Sequence, residues 1–109
     1  MLVLFAMSEP SRTKTYDQLE SLLEDRILIL DGAMGTMVQA LRIGEAEIRG
    51  ERFREHHKDL ARFADLLCLT RPDDVTEIHR KYLAAGADIV ETNTFGASWV
   101  GMDEFQLPR

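Results

Sequence analysis

Ala84-Ala85-Gly86-Ala87-Asp88-Ile89-Val90-Glu91-Thr92-Asn93-Thr94-Phe95-Gly96 reads as the end of a helix, a buried strand and a polar tip. Gly86 supplies a left-handed stop for the helix, and Ile89-Val90 is the β-prone centre of the strand. The last residues gather an acid, an amide, hydroxyls and a glycine. The same plan stands near the start, where Arg26-Ile27-Leu28-Ile29-Leu30 runs into Asp31-Gly32-Ala33-Met34-Gly35-Thr36. A continuous apolar run of this kind is the pattern of a parallel strand covered on both faces. Ligands bind at the carboxyl ends of parallel strands, so the two polar tips mark a functional face.

Between these runs, Asp65-Leu66-Leu67-Cys68-Leu69-Thr70 reads as another strand. Pro72 opens a helix behind it, because the first turn leaves an N–H unused, and Asp73, Asp74 and Glu77 favour its positive end. Val75, Ile78, His79, Tyr82 and Leu83 share one stripe of that helix. Thr15-Tyr16-Asp17-Gln18 matches a capping box, with Leu19, Leu22 and Leu23 following at helical spacing. A helix beginning at Thr15 is therefore expected, with residues 1–14 as a flexible leader. Met37, Val38 and Leu41 mark a short helix, residues 43–62 a long irregular connection, and residues 98–105 the start of a last helix.

The order of elements is α/β: an N-terminal helix, then three strands, each followed by a helix. Such alternation implies right-handed crossovers and a parallel sheet. It does not separate a doubly wound sheet from the opening of an eight-stranded barrel. A barrel takes about 250 residues, so the chain would hold the first three of its strands.

The 109 residues are 45% apolar and 29% charged, the composition of an ordinary globular domain. A net charge of -6 and a pI near 5.0 disfavour nucleic acid and anionic membrane as partners, since both select a basic surface. The apolar opening Met1-Leu2-Val3-Leu4-Phe5-Ala6-Met7 lacks a basic flank and falls short of the roughly 20 residues that span a bilayer. Cys68, the single cysteine, lies in an apolar run and reads as a small hydrophobe, which suits a reducing, cytoplasmic setting.

Five motifs in order carry a resemblance: Leu30-Asp31-Gly32-Ala33-Met34-Gly35-Thr36, Arg49-Gly50-Glu51-Arg52-Phe53, Asp65-Leu66-Leu67, the stretch from Pro72-Asp73 to Ile78-His79, and Ala85-Gly86-Ala87-Asp88-Ile89-Val90-Glu91-Thr92-Asn93-Thr94-Phe95. Over residues 16–105 the chain resembles the N-terminal homocysteine-binding domain of the cobalamin-dependent methionine synthase family. The resemblance implies a (β/α)8 TIM barrel in which zinc, held by three cysteines, coordinates the homocysteine thiolate for attack on the methyl group of methylcobalamin. The product is methionine. Zinc lowers the pKa of a thiol that is otherwise near 8.5 and holds its sulfur in line with the donor.

Cys68 matches none of those three cysteines, so residues 15–109 are read as an incomplete barrel domain, without the zinc ligands or the cobalamin domain. The expectation is a truncated segment, inactive alone, whose partners are homocysteine and the remaining domains of the enzyme. Alternatives are a cobalamin-independent methyltransferase of the betaine or S-methylmethionine type, and a non-catalytic remnant. The motif from Arg49 to Phe53 and the tip from Glu91 to Phe95 favour the cobalamin type.

The candidate substrate-binding residues are Asp31, Ala33, Met34, Thr70, Glu91, Asn93 and Thr94. A carboxylate beside flexible glycines suits the ammonium and carboxylate of an amino acid. The competing reading of Asp31-Gly32 is a plain strand-to-helix turn. Along a strand Glu91 and Asn93 would share one side, and Thr92 and Thr94 the other. Helix capping explains Thr70 as well as substrate contact does. His56-His57 lacks a third ligand at metal spacing, His79 reads as a core-facing histidine, and Trp99, Met102 and Phe105 read as packing.

Overall fold

The computed structural model describes residues 9–107. These fall into two compact units. One comprises the described residues up to Gly32 together with His79–Thr92, and the other Ala33–Ile78 together with the described residues from Asn93 onward.

In the first unit, α1 (Glu9–Asp25) starts well before Thr15. The expected capping box therefore lies inside the helix, and residues 9–14 of the expected leader are helical; residues 1–8 lie outside the described residues. Within a continuing helix the amides at residues 15–18 meet carbonyls four residues back, so no orphan donor is left there to cap.

Leu30 and Ile89 then form a parallel bridge. The Ile29 carbonyl accepts from the N–H groups of Asp88 (2.9 Å) and Ile89 (3.1 Å), and the Asp31 N–H donates to the Ile89 carbonyl (3.0 Å). The run at residues 26–30 and the run at residues 87–91 are thus direct neighbours. Their pairing is a bridge rather than the extended strands expected. The Arg26 guanidinium fastens it by reaching both Asp88 oxygens, at 3.0 and 2.5 Å.

The helix α5 (Pro72–Ala84) starts at Pro72 as its sequence predicts. Val75, Ile78 and His79 of its stripe are buried, Tyr82 is half-buried and Leu83 exposed. Gly86, at φ +110°, ends it: Ala87 N–H reaches the Tyr82 carbonyl and Gly86 N–H the Leu83 carbonyl, the paired bonds of a glycine-terminated helix.

The second unit holds α2 (Gly35–Leu41), α3 (Glu45–Arg49), a 3-10 turn (Ala64–Leu66) that continues into α4 (Leu67–Thr70), and α6 (Trp99–Glu104). Its core is Ile48, Leu60, Phe63, Leu66, Leu67, Val75 and Leu107. The strand expected over residues 65–70 is helical instead. Leucine is a strong helix former, the run has no β-branched residue before Thr70, and burial of Leu60, Phe63, Leu66 and Leu67 follows helical spacing while Leu69 is exposed. Arg71 sits at φ -140°, ψ 57°, the non-helical conformation that a following proline favours, and α4 stops there.

Residues 43–62 are more ordered than the irregular connection expected. Glu47 caps the start of α3 by accepting the Gly44 N–H at 2.9 Å. Arg49 binds Glu45 and the carbonyls of Phe53, His56 and Lys58, so one side chain gathers the turns that follow. The last helix, α6, starts where expected, with the Ser98 hydroxyl accepting the Gly101 N–H at 3.2 Å. Phe105 stacks on Phe63 with ring centres 4.7 Å apart, and Met102 also packs on the core, whereas Trp99 is exposed. Among the described residues no helix is long and apolar enough to cross a membrane.

Candidate functional site

In the first unit the candidates Asp31 and Glu91 are brought together by Gly32. The Asp31 Oδ1 accepts the Gly32 N–H at 2.8 Å, a short local bond that shapes the turn. Gly32 is buried at φ +153°, and a Cβ there would stand 2.8 Å from the Glu91 nitrogen. Only glycine lets the two backbones approach this closely. Both carboxylate side chains are exposed at the carboxyl end of the bridged segments.

In the second unit Ala33 is exposed, and Met34 is half-buried against the core, where its carbonyl receives the Val38 N–H at the start of α2. Asn93 is buried, and its Nδ2 donates to the Ala64 carbonyl at 2.8 Å. The Asn93 carbonyl accepts the Cys68 thiol at 3.3 Å. Glu91 is exposed and Asn93 buried, so the shared side expected for a strand is not kept; the chain bends at Asn93. Thr94 is exposed, and its carbonyl closes a turn with the Ala97 N–H. Thr70 stands at the end of α4 rather than at a strand tip, and its hydroxyl donates to the Leu66 carbonyl at 3.2 Å.

Asp65 is the residue that sequence reasoning missed. Its Oδ1 accepts the Gly96 N–H at 2.8 Å, and with the Asn93 amide it ties residues 93–97 to the turn before α4. A carboxylate at the start of a leucine run was the available signal, hidden by reading that run as a strand.

Cys68 is the one thiol of the chain, and burial pushes its pKa up, away from the thiolate that binds zinc. Among the described residues no group of three or more His, Cys, Asp or Glu side chains is placed to hold a metal. His56 Nε2 lies 2.8 Å from the Phe105 carbonyl, and His57 pairs with the Gln106 side chain. The residues present therefore do not fit the three-cysteine zinc centre.

The arrangement offers a carboxylate and a tight glycine turn, suited to holding a charged head group, and no group suited to activating a sulfur. In a comparison with protein families, the family model for homocysteine S-methyltransferases matches residues 28–108, from the bridged segment before Asp31 past the end of α6. The chain belongs to the homocysteine S-methyltransferase family.

Proposed function

We propose that these residues form the homocysteine-binding part of a methyltransferase of the methionine synthase type, which passes the methyl group of methylcobalamin to homocysteine. The observation that carries this reading is the Asp31-Gly32 turn seated on the Glu91 backbone. The substrate ammonium meets Asp31 and Glu91, the two exposed carboxylates at the carboxyl end of the bridged segments. Ala33, Met34, Asn93 and Thr94, in the second unit, are the further candidates for substrate contact, and Thr70 supports the chain beside Gly50, where a Cβ would lie 3.3 Å from the Thr70 side chain.

The bridged segments at residues 26–31 and 87–91 are read as adjacent strands of a (β/α)8 barrel, with the site at their carboxyl ends. In the reaction a bond forms between the homocysteine sulfur and the methyl carbon as the donor's bond to that carbon breaks. A chain with one cysteine does not supply three thiolates, so these residues hold the head group and leave sulfur activation to others. The motif from Arg49 to Phe53 favours the cobalamin type over a betaine or S-methylmethionine donor. The free Cys68 suits a reducing cytoplasm.

The test is calorimetric titration of homocysteine into this chain and into a chimera joining it to the cysteine-bearing remainder of a family domain. We expect zinc-dependent binding by the chimera alone, weakened about ten- to a hundredfold by Asp31→Asn, the range for losing a bond to a charged group. Equal binding by the chimera and its Asp31→Asn variant would remove the head-group assignment.

A further inference from the structure

Two neighbouring residues, Ala64 and Asp65, hold the segment that begins at Asn93. The Ala64 carbonyl accepts the Asn93 Nδ2 at 2.8 Å, and the Asp65 Oδ1 accepts the Gly96 N–H at 2.8 Å. Thr94 and Phe95 therefore span the interval between two fixed points. The Cys68 thiol adds a bond to the Asn93 carbonyl, and the Thr94 carbonyl takes the Ala97 N–H at 3.2 Å to close the turn. All of these groups belong to the second unit. The Asp65 bond reaches a residue 31 positions away, and not an amide of its own 3-10 turn, so helix capping does not account for it.

The fit around Gly96 leaves little slack. A Cβ there would stand 3.0 Å from the Phe63 ring and 3.1 Å from the Asp65 Oδ2, and a Cβ on Gly101 would stand 2.2 Å from the Gly96 carbonyl oxygen. Phe63 is buried, with Phe105 stacked on it, so its ring has little room to give way. The Gly96 peptide is thus packed closely against both the core and the first turn of α6.

We propose that Asp65 is a positioning residue for homocysteine binding: through the Gly96 N–H it sets the backbone of residues 93–96, and with it the places of Asn93 and Thr94, before the substrate arrives. The inference rests on the homocysteine reading above and goes beyond it, because Asp65 acts without touching the substrate. Thr94 and Phe95 are exposed, so burial does not fix them. A segment of this kind, left unanchored, gives up its backbone freedom when it binds, and that loss is taken out of the affinity. The bond from Asp65 to a backbone amide removes the freedom in advance.

Calorimetric titration of homocysteine into the zinc-loaded chimera tests this with four variants. Asp65→Ala should weaken binding about tenfold, the cost of fixing roughly one freed backbone residue. Asp65→Asn keeps an oxygen for the Gly96 N–H and should bind within about threefold of the parent. Gly96→Ala keeps the carboxylate but crowds its partner, so it should repeat the loss, and it decides the matter by itself if Asp65→Ala does not fold. Val75→Ala removes core packing without touching these bonds, and should lower the urea midpoint while leaving the affinity unchanged. Binding by Asp65→Ala as tight as the parent's overturns the inference and leaves the homocysteine reading standing, whereas a chimera that binds no homocysteine removes both. Asp65→Asn as weak as Asp65→Ala overturns the inference by showing that the charge acts on the substrate directly. Val75→Ala as weak as Asp65→Ala overturns it by showing that stability alone sets the affinity.

Discussion

Asp88 takes the Arg26 guanidinium and the Ile29 N–H onto one carboxylate, and these donors draw its pKa down to about 2. The folded-state pKa lies below the ordinary value of about 3.9, so the contribution is fully present above that value and is lost as pH falls toward 2. Acid titration followed by circular dichroism should show a loss of stability between about pH 4 and 2 that Asp88→Asn removes; an unchanged acid limb would show that the carboxylate does not hold the bridge. His79 works in the opposite chemical sense, since burial pushes its imidazolium down. The unfolded chain then binds a proton more readily, and stability should fall as pH drops below about 6.5, with His79→Gln losing that dependence. Gly32 is the most constrained position near the site. Gly32→Ala should cost more than about 1 kcal/mol in urea unfolding, because an L residue is strained at φ +153° and its Cβ would meet the Glu91 nitrogen at 2.8 Å.

At the level of elements, the signals that read correctly were those with a single stereochemical meaning. Pro72, Gly86 and Ser98 each do one thing at a helix boundary, and each does it here. The Asp31-Gly32 turn was legible for the same reason, as a carboxylate followed by glycine where an apolar run ends. The leucine-rich stretch at residues 65–70 was not legible, because a short apolar run fits a helix and a strand equally and only its partners decide. Those partners, Leu60 and Phe63, lie at the end of the charged connection and just behind it, where order depends on Arg49 gathering distant carbonyls, a tertiary effect with no local period. Asn93 was legible as a polar tip, whereas its bond to Ala64 required the fold. The helical reading makes Leu67, with no exposed surface, a central core residue. Leu67→Ala should cost about 2–5 kcal/mol, measured by urea unfolding, while Leu69→Ala at the exposed position should fall within about 0.5 kcal/mol of the parent. Comparable losses at both positions would fit a strand buried on its two faces instead.

The whole molecule carries a net charge of -6, and at pH 8 this excess of carboxylates opposes its own compact state by self-repulsion. That opposition is screened as the Debye length shrinks from about 30 Å at 0.01 M to about 10 Å at 0.1 M salt. The ion pairs of the surface, Arg26 with Asp88 and Arg71 with Glu47, are screened by the same salt and pull in the other direction. Exposed pairs of this kind contribute little each, so the net repulsion wins and the urea midpoint at pH 8 should rise between about 0.01 M and about 0.1 M sodium chloride. A midpoint that falls with salt would mean that the ion pairs outweigh the excess negative charge.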